Sequence, residues 1–208
     1  MRATPHPVLI LIRHGQSTAN DAGLLVGRTD SQLTDKGVRQ ALEVAPYTAS
    51  VARVICSPLT RARRTAELAV PQLTAEVDEA FIELDYGLLD GTPLADVGRE
   101  QWDAFAANYD LALGGGESLR DVDRRVHARL NEWLVDEESL LHHPGEHLCV
   151  VSHVSPIKSA IAWALGVPGS VAWRMRLDNA SITTITTRNA QPFLVTYNER
   201  SPRHHRAR

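Results

Sequence analysis

Arg13-His14-Gly15, Ser57-Pro58 leading into Arg61, and Ser152-His153 are the places in this chain where residue types suited to chemistry gather. Each follows or closes a short apolar run: VLILI at 8–12, VICS at 54–57 and HLCVVSH at 147–153. Two His and two Arg brought to one crevice from positions far apart in sequence would suit a dianionic ligand. Arg presents a planar fork of donors that matches phosphate oxygens, and a neutral imidazole is a nucleophile at ordinary pH. A helix opening at Ser57-Pro58 would add backbone N–H groups and the positive end of its dipole. Any one of these residues alone reads as well as a salt bridge or a structural His; it is their convergence that points to chemistry.

Convergence needs a scaffold. The three runs are short, apolar and β-branched, as buried strands are. SITTITT (181–187) and FLVTY (193–197) add two more strands, with a turn between Asn189 and Pro192. Helical patterns fill the gaps. One is capped by Thr34 and carries Val38, Ala41, Leu42 and Ala45; one runs from Ser57-Pro58 to about Ala69; one runs from Thr92-Pro93 to about Asn108. A longer helix opens at Ser118, with Leu119, Val122, Val126, Leu130, Trp133 and Leu134 on one stripe, and another runs from Ser155-Pro156 to Gly166. Strands alternating with helices predict an α/β three-layer sandwich: a mostly parallel central sheet with helices on both faces. In such sheets ligands bind beyond the carboxyl ends of the strands, where the Arg and His residues fall. Residues 81–117 fit the alternation poorly and read as a lid insertion over that end. The expected organisation is one domain over 1–200, with a basic, frayed tail at 201–208.

LIRHGQSTAN (11–20) resembles the signature of the histidine phosphatase superfamily, the phosphoglycerate mutase-like branch 1. The resemblance extends in order through GRTDSQLTDKGVRQA (27–41), CSPLTRARRTA (56–66), IELDYGLLDG (82–91), GGGES (114–118) and VVSHVSPIK (150–158). It implies that His14 attacks phosphorus to give a phosphohistidine, and that Arg13, Arg61 and His153 clamp the phosphoryl oxygens. Glu83 would protonate the leaving oxygen and then activate water. Phosphoryl transfer asks for this kind of positioning and charge stabilisation. A main-chain carbonyl near Gly15 is the expected acceptor for the second ring nitrogen of His14. Gln16, Asn20, Gly27, Arg28, Ser57 and Val154 are the candidate substrate contacts, with Ser57 open to two readings, helix cap or phosphate ligand. Glu117 reaches the rim, and the Trp102, Phe105, Tyr109 stripe reads as packing.

The superfamily includes both phosphatases and mutases. A mutase must hold a second anionic group, yet between Leu84 and Leu113 the sequence has one basic residue, Arg99, against Asp85, Asp90, Asp96, Glu100, Asp103 and Asp110. That field opposes a bisphosphate. The family's mutases also carry an Asn at the position that Ser155 takes after His153-Val154. The expected activity is therefore phosphomonoester hydrolysis of a small phosphorylated metabolite, without a cofactor. The alternatives are a cofactor-dependent phosphoglycerate mutase, which would use 2,3-bisphosphoglycerate, and a phosphoprotein phosphatase.

Composition sets the outer bounds. The 208 residues carry 22 basic and 25 acidic side chains, a net charge of −3, which argues against a nucleic-acid partner. No apolar run approaches the ~18 residues of a membrane span, and the five-residue run before Arg13 is short for an export signal. With Cys56 and Cys149 both in apolar segments, a cytoplasmic chain with reduced thiols is expected, with a homodimer left open. No metal is expected: His142, His143 and His147 look like a cluster, but Pro144 and Gly145 interrupt them, and the segment reads as a solvated loop.

Overall fold

The computed structural model describes residues 8–135, 147–188 and 191–200. The buried apolar runs form β1 (Val8–Arg13), β2 (Val51–Cys56) and β4 (His147–Ser152). The β-branched runs form β5 (Ile182–Arg188) and β6 (Gln191–Glu199), and a two-residue edge strand, β3 (Glu76–Val77), completes the sheet. The order is β3-β2-β4-β1-β5-β6. The first four strands are parallel, while β5 and β6 run antiparallel to their neighbours. The helices are α1 (Thr18–Asp21), α2 (Asp35–Val44), α3 (Thr60–Ala69), α4 (Arg99–Ala107), α5 (Leu119–Val135) and α6 (Val154–Leu165).

Side-chain alternation sends each central strand's apolar residues to two faces, which is why the runs are continuous rather than alternating. Leu9, Leu11, Ile55, Leu148 and Val150 pack against α5 and α6 through Val122, Val126, Leu130, Ile157 and Ile161. Ile10, Ile12, Val54, Cys56, Cys149 and Val151 pack on the other face against Val44 of α2 and Ala62, Ala66 and Ala69 of α3. The three alanines recur at helical spacing and bring α3 close to the sheet. Each fully buried Leu, Ile or Val contributes about 1.5–3 kcal/mol. Both thiols are buried and free. Among the described residues, no helix is long and apolar enough to cross a membrane.

Several local expectations are corrected. The third helix starts at Thr60, not at Ser57-Pro58, and its first turn is met from outside by Asp30, whose Oδ1 accepts the Thr60 N–H at 2.9 Å. Thr92-Pro93 opens no α-helix. A 3₁₀ turn spans Leu94–Asp96, the chain turns extended at Val97, and α4 begins at Arg99. On α2 the buried face is Gly37, Gln40, Ala41 and Val44, leaving Leu42 exposed. Strand β6 starts at Gln191 and includes Pro192, tolerated because β6 is an edge strand and needs no donor on its outer side. His147 is the first residue of β4 rather than part of a loop. His142, His143 and the 201–208 tail lie outside the described residues, as do Asn189 and Ala190 of the turn between β5 and β6. The last helix starts at Val154 with His153 at its cap, not at Ser155-Pro156. The starts at Thr34 and Ser118 are borne out. Thr34 accepts the Gly37 N–H, Ser118 caps α5 through the Asp121 N–H at 3.2 Å, and Gly166 closes α6 in the left-handed region at φ 63°.

The 81–117 insertion is α4 among short turns, laced to the loop after α1 by Leu25 N–H to Thr92 O at 2.8 Å and Gly91 N–H to Leu25 O at 2.8 Å. Its glycine run is a place where two backbones touch: Gly114 has φ 70°, and a Cβ on it would stand 2.1 Å from Tyr86 O.

Candidate active site

Strand register assembles the site. Arg13 pairs with Ser152 and Cys56 with Val151, so β1, β2 and β4 end level. The ladder then runs one step beyond the strands, with His14 N–H to Ser152 O at 2.9 Å and Ser57 N–H to Val151 O at 3.0 Å. His14, Ser57 and His153 thus leave the sheet side by side, and the two His rings lie edge to face with centroids 4.9 Å apart.

His14 is buried, and its Nδ1 sits 2.7 Å from Gly15 O. A carbonyl only accepts, so Nδ1 carries the proton and the lone pair of the neutral ring stands on Nε2. Burial, then Arg61 and Arg13, hold its pKa well below the ordinary value of 6.5, which keeps the ring neutral. The loop around it is pinned from every side. Gly15 N–H donates to Thr65 Oγ1 at 3.0 Å, and Thr65 in turn donates to Arg61 O at 2.7 Å. Gly15 and Gly37 meet backbone to backbone: a Cβ on Gly15 would stand 2.4 Å from Gly37 O, and one on Gly37 would stand 2.1 Å from Gln16 O.

The cations are aimed by carbonyls. Arg13 Nη1 donates to Leu177 O at 2.6 Å, and Arg61 donates through Nη1 to Thr29 O at 2.9 Å and through Nη2 to Gly27 O at 2.6 Å. Burial lowers Arg13 to about 10 and lowers Arg61 as well, with Glu83 opposing both shifts, so Arg13 remains charged at neutral pH. His153 Nε2 lies 2.7 Å from Ser57 Oγ, and burial with its neighbouring cations holds its pKa well below 6.5. Arg13 Nε, Arg61 Nε and His153 Nδ1 are all buried with no hydrogen-bond partner among the described residues. Unmet buried polar atoms are costly, and two guanidinium N–H donors with a ring nitrogen of His153 beside His14 suit the oxygens of a phosphoryl group.

Glu83 is buried in the same crevice. Its Oε1 accepts the Leu84 N–H at 2.8 Å and the Ser155 N–H at 3.1 Å, and its Oε2 accepts the Val154 N–H at 3.0 Å. The helix N-terminus that serves the site is therefore that of α6, which holds Glu83, and not that of α3, which meets Asp30.

His14, Arg13, Arg61, His153 and Glu83 come together as the sequence predicts; the rim residues have more specific tasks. Gln16 turns to α2, its Oε1 accepting from Thr34 Oγ1 at 3.0 Å. Asn20 forms a capping box with Ser17 and meets Asn179 Nδ2 at 3.3 Å. Gly27 offers its carbonyl to Arg61, Val154 its N–H to Glu83, and Ser57 its hydroxyl to His153. Arg28 lies 3.2 Å from Glu117 and 3.6 Å from Asp85, while Glu117 also pairs with Arg125 at 3.1 Å. The count of lid acids therefore overstates the field at the site: Asp85 is paired, and Asp90 accepts two backbone N–H groups. Phe105 is buried against Trp102 and Trp173, so the aromatic stripe is packing.

Sequence reasoning missed the segment that closes the crevice from behind. Leu177 O holds Arg13, Ser181 O accepts the Arg13 N–H at 3.2 Å, and the Ala180 N–H, at φ 54°, donates to the Arg13 and His14 carbonyls. These contacts are main-chain, and no residue type signals them. Thr65, one helical turn from Arg61, was readable by its spacing.

A family model for the histidine phosphatase superfamily, branch 1, matches residues 9–200. The chain belongs to that superfamily. The "Probable phosphoglycerate mutase GpmB" of Cronobacter sakazakii is 33% identical over 183 residues, 84% of this chain and 82% of that protein. In a relative from Mycobacterium tuberculosis that is 34% identical, the chain spans 50% of the length. Among solved structures, the phosphoserine phosphatase of Entamoeba histolytica in complex with 3-phosphoglyceric acid superposes with a TM-score of 0.81 at 28% identity, covering 93% of this chain and 97% of that one. A putative alpha-ribazole-5'-P phosphatase of Escherichia coli gives a TM-score of 0.80 at 27% identity, covering 94% and 98%.

Proposed function

We propose that this histidine phosphatase superfamily member is a phosphomonoester hydrolase that acts on a small phosphorylated metabolite through a phosphohistidine. The observation that carries this reading is the trio of unpartnered buried nitrogens, Arg13 Nε, Arg61 Nε and His153 Nδ1, set around a neutral His14 whose Nδ1 is tied to Gly15 O. His14 Nε2 attacks phosphorus, and the ester P–O bond breaks as Glu83 gives its proton to the leaving oxygen. Arg13, Arg61 and His153 take the charge that builds on the equatorial oxygens. Glu83, now a carboxylate, takes a proton from water, whose oxygen displaces His14 from phosphorus and releases phosphate. The cations needed for this are side chains of the chain itself, so the reaction requires no metal.

The relatives named as mutases favour a second reading, cofactor-dependent isomerisation of phosphoglycerate. One assay separates the two: 3-phosphoglycerate with and without 2,3-bisphosphoglycerate, following both 2-phosphoglycerate and free phosphate. Hydrolysis predicts phosphate release from simple monoesters, abolished by His14→Ala and unaffected by a chelator. Cofactor-stimulated isomerisation as the main reaction would establish the mutase instead.

A further inference from the structure

Leu177 O, which accepts from Arg13 Nη1 at 2.6 Å, shares a peptide group with the Asp178 N–H, which donates to Asn198 Oδ1 at 2.8 Å. No peptide bond among the described residues is cis, so the carbonyl and the N–H point in opposite directions from one rigid plane. Whatever fixes the N–H therefore fixes the carbonyl. Asn198 lies near the end of β6, the edge strand, two strands away from β1 in the sheet. A bulge aims it. Ile182 pairs with Glu199 and Thr184 with Thr196, so Thr183 alone stands opposite Tyr197 and Asn198. Asn198 takes the left-handed region at φ 54°, which a short polar side chain tolerates better than most, and its N–H donates to Thr183 Oγ1 at 3.2 Å. A residue other than glycine held there beside a site is the kind of feature that function maintains.

The Asn198 carboxamide meets Asp178 twice: Oδ1 accepts its N–H, and Nδ2 donates to its Oδ2 at 3.2 Å. A carboxylate only accepts, so the amide cannot be turned over. Asp178 Oδ1 is taken by Arg176 Nε at 2.9 Å and Arg200 Nη2 at 2.6 Å. Burial pushes the Asp178 pKa up, but hydrogen bonds from Arg200, Arg176 and Asn198 outweigh it, so the carboxyl stays below its ordinary value and is ionised at neutral pH. Tyr197 donates its hydroxyl to Arg176 O, so β6 holds the chain on both sides of Leu177. We propose that Asn198 is a positioning residue for the phosphoryl clamp: paired with Asp178, it sets the tilt of the Leu177–Asp178 peptide and through it the direction of the Arg13 guanidinium. The task of Arg13 at phosphate comes from the phosphomonoesterase reading, on which the catalytic consequence rests.

Asn198→Gly keeps the left-handed backbone and removes the carboxamide alone. It is compared in the wild-type and Arg13→Ala backgrounds, by calorimetric binding of inorganic phosphate and by p-nitrophenyl phosphate hydrolysis. Asn198→Gly should weaken phosphate binding and lower kcat/KM by about five- to ten-fold, the worth of one misdirected hydrogen bond. In the Arg13→Ala background it should change either by less than about two-fold, because the residue it acts through is gone. Asn198→Asp sets a second carboxylate against Asp178 and should do worse. Adding Asp178→Asn exchanges donor and acceptor between the two side chains and should restore most of the loss. Equal losses in both backgrounds, no loss in Asn198→Gly, or an exchange that restores nothing would overturn the proposal. Phosphate binding with the expected Arg13 coupling but no His14-dependent hydrolysis would refute the phosphatase reading and leave the positioning of Arg13 by Asn198 standing. A wild type that binds no phosphate would refute both. Should Asn198→Gly not fold, the exchange of the Asp178 and Asn198 side chains reads the same dependence.

Discussion

Arg61 and Asp90 grip one short loop from opposite sides. Arg61 donates to the carbonyls of Gly27 and Thr29 at 2.6 and 2.9 Å, and Asp90 accepts the N–H groups of the same two residues at 2.7 and 2.6 Å. Asp90 thereby sets the angle of the Arg61 guanidinium, which it does not touch. Replacing Asp90 by Ala frees two N–H groups and lets the loop shift. Displacements of about 1 Å in a positioned group cost up to about 10²-fold in rate. Asp90→Ala should therefore lower kcat/KM by about 10–100-fold, with Asp90→Asn intermediate because its amide oxygen keeps one acceptor. Loss of activity confined to lid-dependent substrates, with p-nitrophenyl phosphate unaffected, would show that Asp90 acts on the lid alone.

The Gly15–Gly37 contact makes a prediction of a different kind. A Cβ on Gly37 would stand 2.1 Å from Gln16 O, and backbone cannot yield as a side-chain tip does. Gly37→Ala should destabilise the fold by about 1–3 kcal/mol, the range for forced overpacking, and move the loop that carries His14. Denaturant unfolding gives the first effect. A fall in kcat under conditions where the variant stays folded gives the second. A fully stable, fully active variant would mean that α2 can slide without consequence.

How much of this was legible in the sequence depends on whether a function sits in a side chain or in the main chain. His14, Arg13, Arg61, His153 and Glu83 were readable because their chemistry belongs to their side chains and they follow strand-like runs. The apolar VLILI and HLCVVS runs likewise fixed their strands, since only a strand covered on both faces uses so few polar residues. The tasks of Gly27, Val154 and the 177–181 segment lie in carbonyls and N–H groups that every residue possesses. Ser57 was misplaced for a related reason: Ser-Pro is a sound helix-start pattern, but Asp30, from a distant loop, meets the first turn of α3 and frees Ser57 for His153. The lid charge was miscounted because Arg28 comes from outside the counted segment.

Acid should unfold this protein in a way that two residues dominate. His14 and His153 have folded pKa values well below 6.5, both through burial first, followed by Arg61 and Arg13 for His14 and by His14 and then the arginines for His153. Between those folded values and 6.5 the unfolded chain binds more protons than the native one, so stability increases with pH across that window and is lost as pH falls through it. Above about pH 7 neither His contributes a slope. Urea unfolding at about pH 7.5 and about pH 5.5 should show a large loss for the wild type and a smaller one for His14→Asn, which cannot take up the proton. An unchanged pH difference in the variant would mean that His14 is as readily protonated in the native state as in the unfolded one.

Glu83 carries the most demanding prediction, because one carboxyl is asked to give a proton in the first half-reaction and take one in the second. Its oxygens accept three backbone N–H groups, from Leu84, Val154 and Ser155. Glu83→Gln keeps the shape but turns an NH₂ toward at least one of those donors, so some stability is lost with the chemistry, and a simple fall in rate would not separate the two. The leaving group does. Alkyl phosphates expel a poor alkoxide and need the proton, so their first step should lose about 10²–10⁴-fold, the usual range for general acid catalysis. An aryl phosphate such as p-nitrophenyl phosphate expels a stable phenolate and should lose much less in that step. Its phosphohistidine should then accumulate, because water lacks its base. Rapid-quench detection of acid-labile, base-stable phosphate on the variant measures this directly. A distorted site would slow both substrate classes alike; equal losses in the first step would remove Glu83 from the role of leaving-group acid and pass it to Asp85, next along the same segment.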